Sequence, residues 1–117
     1  MSSNALPPGR RLRRRAEFQR VFDTGRRAHG RYFTIIAAAD GAPLSRLGIV
    51  ASKKLGGAVL RNRAKRLIRE AFRTTPDPSG PVDLVVIPKA ALFDASPASL
   101  RHDFQLVLNR CLQTSKK

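Results

Sequence analysis

The stretch from Leu60 to Arg73 most constrains what this chain can fold into, because it has the pattern of a helix with one apolar face and one cationic face. Apolar residues recur at i, i+4, i+7, i+8 and i+11, which places them on one stripe of a helix: Leu60, Ala64, Leu67, Ile68 and Ala71. Six cations and one amide lie around the opposite side: Arg61, Asn62, Arg63, Lys65, Arg66, Arg69 and Arg73. Glu70 is the only acid in the stretch, so little neutralises this face locally.

The cationic face has two interpretations. An ordinary charge run is a solvated helix surface, but such surfaces usually mix the two signs of charge. Six cations against one acid repel one another unless a polyanion covers them, and the arginine guanidinium group suits phosphate oxygens. The pattern therefore favours a helix that binds nucleic acid.

The charge of the whole chain indicates the same kind of partner. The 117 residues carry a formal net charge of +15, which suits nucleic acid or an anionic membrane. Residues 1–73 hold 18 Lys and Arg against 4 Asp and Glu, whereas residues 74–117 hold 5 against 4. The binding surface is therefore predicted to come from the first two thirds of the chain.

The remaining composition disfavours several protein classes. Cys111 is the only cysteine, so the chain cannot form an internal disulfide, and no Cys/His cluster has zinc spacing. No apolar run approaches the roughly 18 residues of a membrane span, and the N-terminal cations are not followed by the apolar segment of a signal peptide. We expect a cytoplasmic protein of one domain that has no membrane partner and is monomeric apart from its nucleic acid.

The N-terminal part predicts a basic arm and then a helix. Five arginines fall between Arg10 and Arg15 and are expected to form a flexible arm. The helix is predicted over 16–24, with Phe18, Val21 and Phe22 on one face, and is expected to end at Gly25 in a left-handed conformation. The two phenylalanines are either core residues or part of a binding surface.

Short strands are predicted between the two helices. Residues 26–30 suit an edge strand, residues 31–39 are rich in β-branched and aromatic side chains, and residues 46–52 form a strand interrupted by Gly48. Residues 40–43 are turn-forming, so the two strands that flank them are expected to pair as a hairpin.

The C-terminal part predicts a loop, a strand and a helix. Residues 82–87 are almost all apolar, typical of a strand covered on both faces, as a parallel crossover through the basic helix would give. Ser96 and Pro97 begin a helix whose apolar stripe includes Cys111. The predicted fold class is α+β: a single domain with one helical layer on a small sheet.

No catalytic residue and no metal site is predicted in this polypeptide. The eight acids are scattered one per element or loop, and His29 and His102 stand alone, whereas hydrolysis of a phosphodiester needs clustered acids or acid–base pairs. The segment 52–57, with its two lysines and two glycines, can approach an anion, but it lacks the pattern of a nucleotide-hydrolysing loop.

The basic helix resembles the most characteristic helix of a known family. The spacing Arg61-Asn62-Arg63, one residue, Lys65-Arg66, two residues, Arg69 is similar to that of the protein subunit of bacterial ribonuclease P. The resemblance covers residues 10–112 and includes these further positions: Leu12, Glu17, Phe18, Val21, Phe22, Gly25, Gly48, Ser52, Lys53, Lys54 and Gly56. It implies the RNA-binding subunit of an endonuclease that removes the 5′ leader from precursor tRNA.

The resemblance also implies a fold and partners. The expected order of elements is α-β-β-β-α-β-α, with a left-handed βαβ crossover that departs from the roughly 98% right-handed rule. Catalysis would belong to an RNA subunit with Mg²⁺, the protein alone would bind no cofactor, and the partners would be the catalytic RNA and precursor tRNA. We expect tails at 1–9 and 114–117 around an RNA-binding domain at 10–113.

Two sets of residues are expected to bind RNA. The cationic face of the basic helix would bind the catalytic RNA through Arg61, Asn62, Arg63, Lys65, Arg66, Arg69 and Arg73. An aromatic and basic cleft would bind the leader through Phe18, Phe22, Phe33, Arg14, Arg15, Arg20, Lys53 and Lys54. Ile36 stands where relatives often have an aromatic residue, so one stacking contact is not expected here.

Two alternatives fit the charge and size. A structural RNA-binding protein of ribosomal type would look similar, and only the pattern of the basic helix separates it from the ribonuclease P family. A DNA-binding helix-turn-helix protein is disfavoured, because no short helix precedes the basic helix at the required distance.

Overall fold

We describe a computed structural model of the chain, which covers residues 10–39, 45–75 and 81–114. Within these residues, three α-helices and four strands follow one another as α1 (Arg15–Thr24), β1 (Arg26–His29), β2 (Phe33–Ala38), β3 (Arg46–Ile49), α2 (Ala58–Thr74), β4 (Asp83–Pro88) and α3 (Pro97–Thr114). Short 3-10 helices follow β3 and β4, at Lys53–Leu55 and Ala90–Asp94. The predicted α+β class and the α-β-β-β-α-β-α order are confirmed.

The four strands form one mixed sheet in the order β1-β2-β4-β3. β2 pairs antiparallel with β1 and β4, whereas β3 pairs parallel with β4, so α2 is the predicted crossover helix. The predicted hairpin between β2 and β3 is wrong, because β4 lies between them. The apolar residues of β4 are buried on both faces of the sheet, which requires a central place for this strand. The left-handed sense of the crossover stays a prediction.

Helices cover both faces of the sheet, so the prediction of one helical layer is wrong. Phe33, Ile35 and Ala37 of β2 belong to the core cluster under α2 and α3. Ile36 and Ala38 alternate with them and belong to a second cluster under α1. All six residues of β2 are buried, and such a strand needs cover on both sides.

The segment before α1 is docked on the sheet. The backbone N–H of Leu12 donates to Leu47 O at 2.9 Å, and the Leu12 side chain is 5% exposed. Arg10 Nε donates to Ser45 O at 2.7 Å. The predicted flexible arm is therefore wrong from residue 10 onward, because Leu12 is an apolar anchor among the arginines. The predicted tails are residues 1–9 and 114–117. Residues 1–9 and 115–117 lie outside the described residues, whereas Thr114 is part of α3.

The helix ends differ from the sequence prediction at two places. Gly25 has φ −82° and ψ 167°, an extended conformation rather than a left-handed one, because β1 begins at the next residue. Leu60, predicted on the apolar stripe of α2, is 40% exposed, since the first turn of α2 extends beyond the core. The predicted cap of α3 is confirmed: the N–H of Ser99 donates to Ser96 Oγ at 3.1 Å.

Cys111 lies in the core, as its place on the apolar stripe of α3 predicted. Its side chain is fully buried, and the thiol donates to Ile35 O at 3.2 Å. Burial raises the pKa of this thiol to about 11, so it is protonated at neutral pH. The residue therefore fills the space between α3 and β2.

Candidate nucleic-acid interface

The side of α2 that faces away from the core carries its cations. Asn62, Arg63 and Arg66 are exposed, while Arg61, Lys65 and Arg69 are half-buried at the margin of the helix. Arg73 donates to Glu70 Oε1 at 2.7 Å, and this is the ion pair of α2 within the described residues. We call Asn62, Arg63 and Arg66 the outer face of α2. RNA binding by these residues stays a prediction, but the structure brings them onto one exposed surface.

Arg61 is held differently from the other cations of α2. Its Nε atom is buried and has no hydrogen-bond partner among the residues that the structure describes. A buried donor without a partner is uncommon, because it loses its hydration without replacing it. One donor of Arg61 is therefore satisfied neither by water nor by the described part of the protein.

A groove of about 130 Å³ crosses the outer edge of β3 between α2 and the segment before α1. Lys65 and Arg69 enter it from α2, and Phe18 enters it from α1. Its remaining lining residues are Arg11, Leu12, Leu47, Gly48 and Ile49. The groove therefore combines three cations with one aromatic side chain. We call it the β3 groove.

The β3 groove mixes residues that the sequence had assigned to different partners. Lys65 and Arg69 were predicted to bind the catalytic RNA, and Phe18 was predicted to bind the leader. Arg11 is not among the predicted site residues, although it belongs to the predicted basic arm. Only the docking of its neighbour Leu12 on β3 brings Arg11 to the groove, and sequence spacing does not reveal that contact.

Gly48 allows Phe18 to reach the groove. A methyl group at position 48 would lie 2.6 Å from Phe18 Cε2 and 2.7 Å from Phe18 Cζ, which is closer than carbon atoms can approach. The ring of Phe18 thus rests on the backbone of β3. Phe18 is half-buried against the cluster under α1, so it serves both as packing and as part of the groove.

Phe33 is not available to a ligand, and its predicted role in leader binding is wrong. The side chain is fully buried, on the opposite face of the sheet from Phe18. Its ring meets that of Phe104 edge-on, with 5.6 Å between the ring centres. Sequence proximity suggested a shared cleft, whereas the alternation of side chains along β2 separates the two faces.

The other predicted leader residues lie around α1 and after β3. Phe22 is half-buried against the cluster under α1. Arg14, Arg15, Lys53 and Lys54 are exposed, and none of them lines the β3 groove. Ile36 is 1% exposed beneath α1, so no stacking surface is available at that position.

Arg20, another predicted leader residue, is engaged in an ionic network on the α1 side of the sheet. Its guanidinium group pairs with Asp83, which is fully buried at the start of β4. Arg46 donates to both carboxylate oxygens of Asp83, at 2.9 and 2.7 Å, and to Glu17 Oε2 at 3.1 Å. We call these four residues the Asp83 network. It ties α1, β3 and β4 together.

Glu17 anchors the start of α1. The backbone N–H groups of Arg14 and Arg13 donate to Glu17 Oε1 at 3.0 and 2.8 Å. These bonds hold the pKa of the Glu17 carboxyl below its ordinary value, and Arg46 adds to the effect. Glu17 thus fixes the entry of the chain into α1, next to the residues that line the β3 groove.

Two further properties concern the described residues. No three His, Cys, Asp or Glu side chains come together there in a way that could hold a metal ion. None of the helices in this part of the chain is long and apolar enough to span a membrane.

The family model described as Ribonuclease P matches residues 6–112. This range includes α1, the β3 groove, α2 and the Asp83 network. The chain belongs to the ribonuclease P protein family. The resemblance carried by the basic helix is thereby confirmed, and the alternative of a ribosomal-type protein is not supported.

Individual members of the ribonuclease P protein family agree with this assignment. The ribonuclease P protein component of Desulfatibacillum aliphaticivorans is 35% identical over 117 residues, which cover 99% of each chain. The solved structure of the Thermotoga maritima RNase P protein has a TM-score of 0.74 and 34% identity, covering 86% of this chain and 96% of that one. The Staphylococcus aureus RNase P protein has a TM-score of 0.72 and 32% identity, covering 92% and 95%. The fold is therefore that of ribonuclease P proteins.

Proposed function

We propose that this chain is the RNA-binding subunit of the ribonuclease P holoenzyme, the ribonucleoprotein that removes the 5′ leader from precursor tRNA. The observation that carries the proposal is the β3 groove, in which Phe18 meets Arg11, Lys65 and Arg69 beside the outer face of α2. Two RNA-binding surfaces thus adjoin on one small protein. One can hold the catalytic RNA while the other holds the substrate.

The outer face of α2 is assigned to the catalytic RNA. Arg63 and Arg66 are exposed and have no carboxylate within ion-pair distance in the described residues, so their charge is open to phosphate. Asn62 adds an amide that can both donate and accept hydrogen bonds.

The β3 groove is assigned to the leader, which revises the sequence assignment of Lys65 and Arg69. Three cations around an aromatic ring suit a single RNA strand, because the cations pair with phosphates and each stacked base contributes ~1–3 kcal/mol. The leader is present in precursor tRNA and absent from mature tRNA. The groove would therefore favour substrate over product.

The chemistry of cleavage is assigned to the RNA subunit with Mg²⁺, and the protein supplies no catalytic residue and binds no cofactor of its own. The family membership and the scattering of the eight acids along the sequence support this division. The protein then acts by binding and orienting the two RNAs. A cytoplasmic location and a monomeric state apart from RNA belong to the same proposal.

Reconstitution with the catalytic RNA tests the proposal. We expect the protein to accelerate cleavage of precursor tRNA at a low Mg²⁺ concentration, where the RNA alone is slow. A protein that binds both RNAs but leaves the cleavage rate unchanged would contradict the proposed function.

The division of the two surfaces needs paired variants. Phe18→Leu keeps an apolar side chain against the cluster under α1 but removes the stacking ring, so it should weaken the affinity of the holoenzyme for precursor tRNA and spare mature tRNA. Arg69→Ala should do the same. Arg66→Ala is the matched control on α2, because it should weaken binding of the catalytic RNA and affect both tRNAs alike. Equal losses for precursor and mature tRNA with Phe18→Leu would rule out leader binding in the groove.

A further inference from the structure

A second and larger cavity lies near the β1 edge of the sheet, away from the β3 groove. Its volume is about 410 Å³, within the range of ~300–1,000 Å³ that is usual for ligand pockets. It opens between the β1–β2 turn and the first two turns of α3, and its lining residues are Arg31, Tyr32, Ala98, Ser99, His102 and Asp103. None of them belongs to the surfaces described above. We call it the Tyr32 pocket.

The side chains of the Tyr32 pocket suit a planar ligand. The guanidinium carbon of Arg31 lies 5.6 Å from the centre of the Tyr32 ring. Arg31 and His102 are exposed, and Tyr32 is half-buried. Tyrosine and histidine rings and the plane of arginine are the groups on which proteins stack unpaired RNA bases.

Two hydrogen bonds fix the turn that borders the pocket. Asp103 Oδ2 accepts a hydrogen bond from the backbone N–H of Tyr32 at 3.3 Å, which links the turn to α3. Lys89 Nζ donates to Gly30 O at 2.6 Å and supports the turn from the other side. The walls are therefore fixed by residues other than Arg31 and His102.

The charge beside the pocket indicates a polyanion. β1 is an edge strand that leads to the pocket, and its Arg26 and Arg27 are both exposed. No carboxylate of the described chain lies within ion-pair distance of Arg26, Arg27 or Arg31. Arg26 lies at the end of β1 that is far from the turn, and Arg27 lies opposite Ile36, whose side chain faces α1. Arg31 is therefore the cation placed to contact a phosphate next to a base in the pocket.

We propose that the Tyr32 pocket binds the base of an unpaired RNA nucleotide, while Arg31 pairs with a neighbouring phosphate. This site is additional to the outer face of α2 and to the β3 groove. It gives the protein a third RNA contact, near the β1 edge of its sheet. The nucleotide can come from the catalytic RNA or from the precursor, since the chemistry is the same.

The fluorescence of Tyr32 tests the proposal directly. The chain contains one tyrosine and no tryptophan, so its intrinsic fluorescence reports on this pocket alone. We expect a short single-stranded oligoribonucleotide to quench the emission in a saturable way, because a base stacks on the ring. Arg31→Ala should weaken this binding roughly tenfold, since it removes both a phosphate contact and a stacking plane.

Arg13→Ala is the matched control, because it removes an exposed arginine that lines neither the pocket nor the β3 groove, and it should leave the quenching midpoint unchanged. Circular dichroism checks that both variants are folded. The proposal is overturned if the quenching does not saturate, or if Arg31→Ala leaves its midpoint unchanged. Loss of this site would leave the cleavage assay of the proposed function intact, so the two can fail separately.

The source of the nucleotide follows from two further titrations of wild-type protein and Arg31→Ala. One uses the isolated catalytic RNA, and the other uses holoenzyme with precursor tRNAs whose leaders increase in length. We expect Arg31→Ala to lower affinity in one series by about tenfold. Unchanged affinity in both series would overturn the assignment to these two RNAs.

Discussion

Arg46 binds the buried Asp83 through two parallel hydrogen bonds, from Nε to Oδ1 at 2.9 Å and from Nη2 to Oδ2 at 2.7 Å. These residues sit opposite each other on β3 and β4, the parallel pair that α2 connects. The bidentate geometry is the strongest that arginine and carboxylate can form. It fixes the strand on which Phe18 rests.

Replacing Asp83 tests the importance of this contact. Asp83→Asn leaves Arg46 and Arg20 beside a neutral group, so we expect the free energy of unfolding to fall by about 3 kcal/mol. This value is at the low end for a broken buried ion pair, because both arginines are partly exposed. Urea denaturation followed by circular dichroism measures it. Glu70→Gln, which breaks the exposed pair with Arg73, is the control and should cost less than about 1 kcal/mol. Similar losses in both variants would contradict the structural role of Asp83.

Gly48→Ala tests the approach of Phe18 to β3. The added methyl group must displace the Phe18 ring, so we expect a loss of about 1–3 kcal/mol in unfolding free energy. Binding of precursor tRNA should weaken as the groove changes shape. Gly57→Ser is the matched control, since nothing lies within 4 Å of its added carbon and serine suits a helix N-cap. A Gly48→Ala protein with unchanged stability would show that Phe18 does not rest on the strand.

The pH dependence of stability reports on Glu17. The pKa of Glu17 is lower in the folded protein than its ordinary value of 4.5. The ionised carboxylate therefore contributes fully to the free energy of unfolding above that value, and this contribution is lost as the pH falls through the pKa of the folded state. Glu17→Gln keeps an oxygen that can accept the two backbone hydrogen bonds but removes the negative charge, so it should destabilise the protein by about 0.3–1 kcal/mol at pH 7. The difference from wild type should shrink below pH 4.5. Urea titrations at pH 7 and pH 3 measure it, and a difference that grows on acidification would contradict this sign.

The salt dependence of RNA binding reports on the outer face of α2. The double variant Arg63→Ala and Arg66→Ala should flatten the plot of log affinity for the catalytic RNA against log salt by roughly 0.7 to 0.9 per lost phosphate contact. Filter binding across a series of salt concentrations measures the slope. An unchanged slope would mean that these two side chains do not contact phosphate.

Periodic apolar patterns predicted the helices correctly, because burial of one face is a local property of the sequence. The place of Cys111 followed from them, whereas the start of α3 followed from the predicted cap at Ser96. Contacts between distant segments were not predictable in this way. Arg46 and Asp83 are 37 residues apart, and Arg20 and Asp83 are 63 residues apart, so no spacing rule connects them.

The errors about the candidate site have a common physical origin. Leu12 is the one apolar residue among five arginines, so the basic run predicted a flexible arm. Leu12 instead docks the N-terminal segment and brings Arg11 to the groove. Phe33 looked like a partner of Phe18 because both are aromatic and near in sequence. The alternation along β2 was readable in the sequence, but deciding which face meets α1 required the three-dimensional arrangement.

The central position of β4 determines the order in which the domain can be completed during synthesis. β4 lies between β2 and β3, so each of these strands has one edge without a partner until residues 83–88 have been synthesised. The basic helix α2 is synthesised before residues 83–88. A nascent chain thus exposes its basic helix before its sheet can close, and two strand edges stay open to wrong pairing in the meantime. RNA that covers the cations of α2 at this stage would reach the protein before its fold is finished.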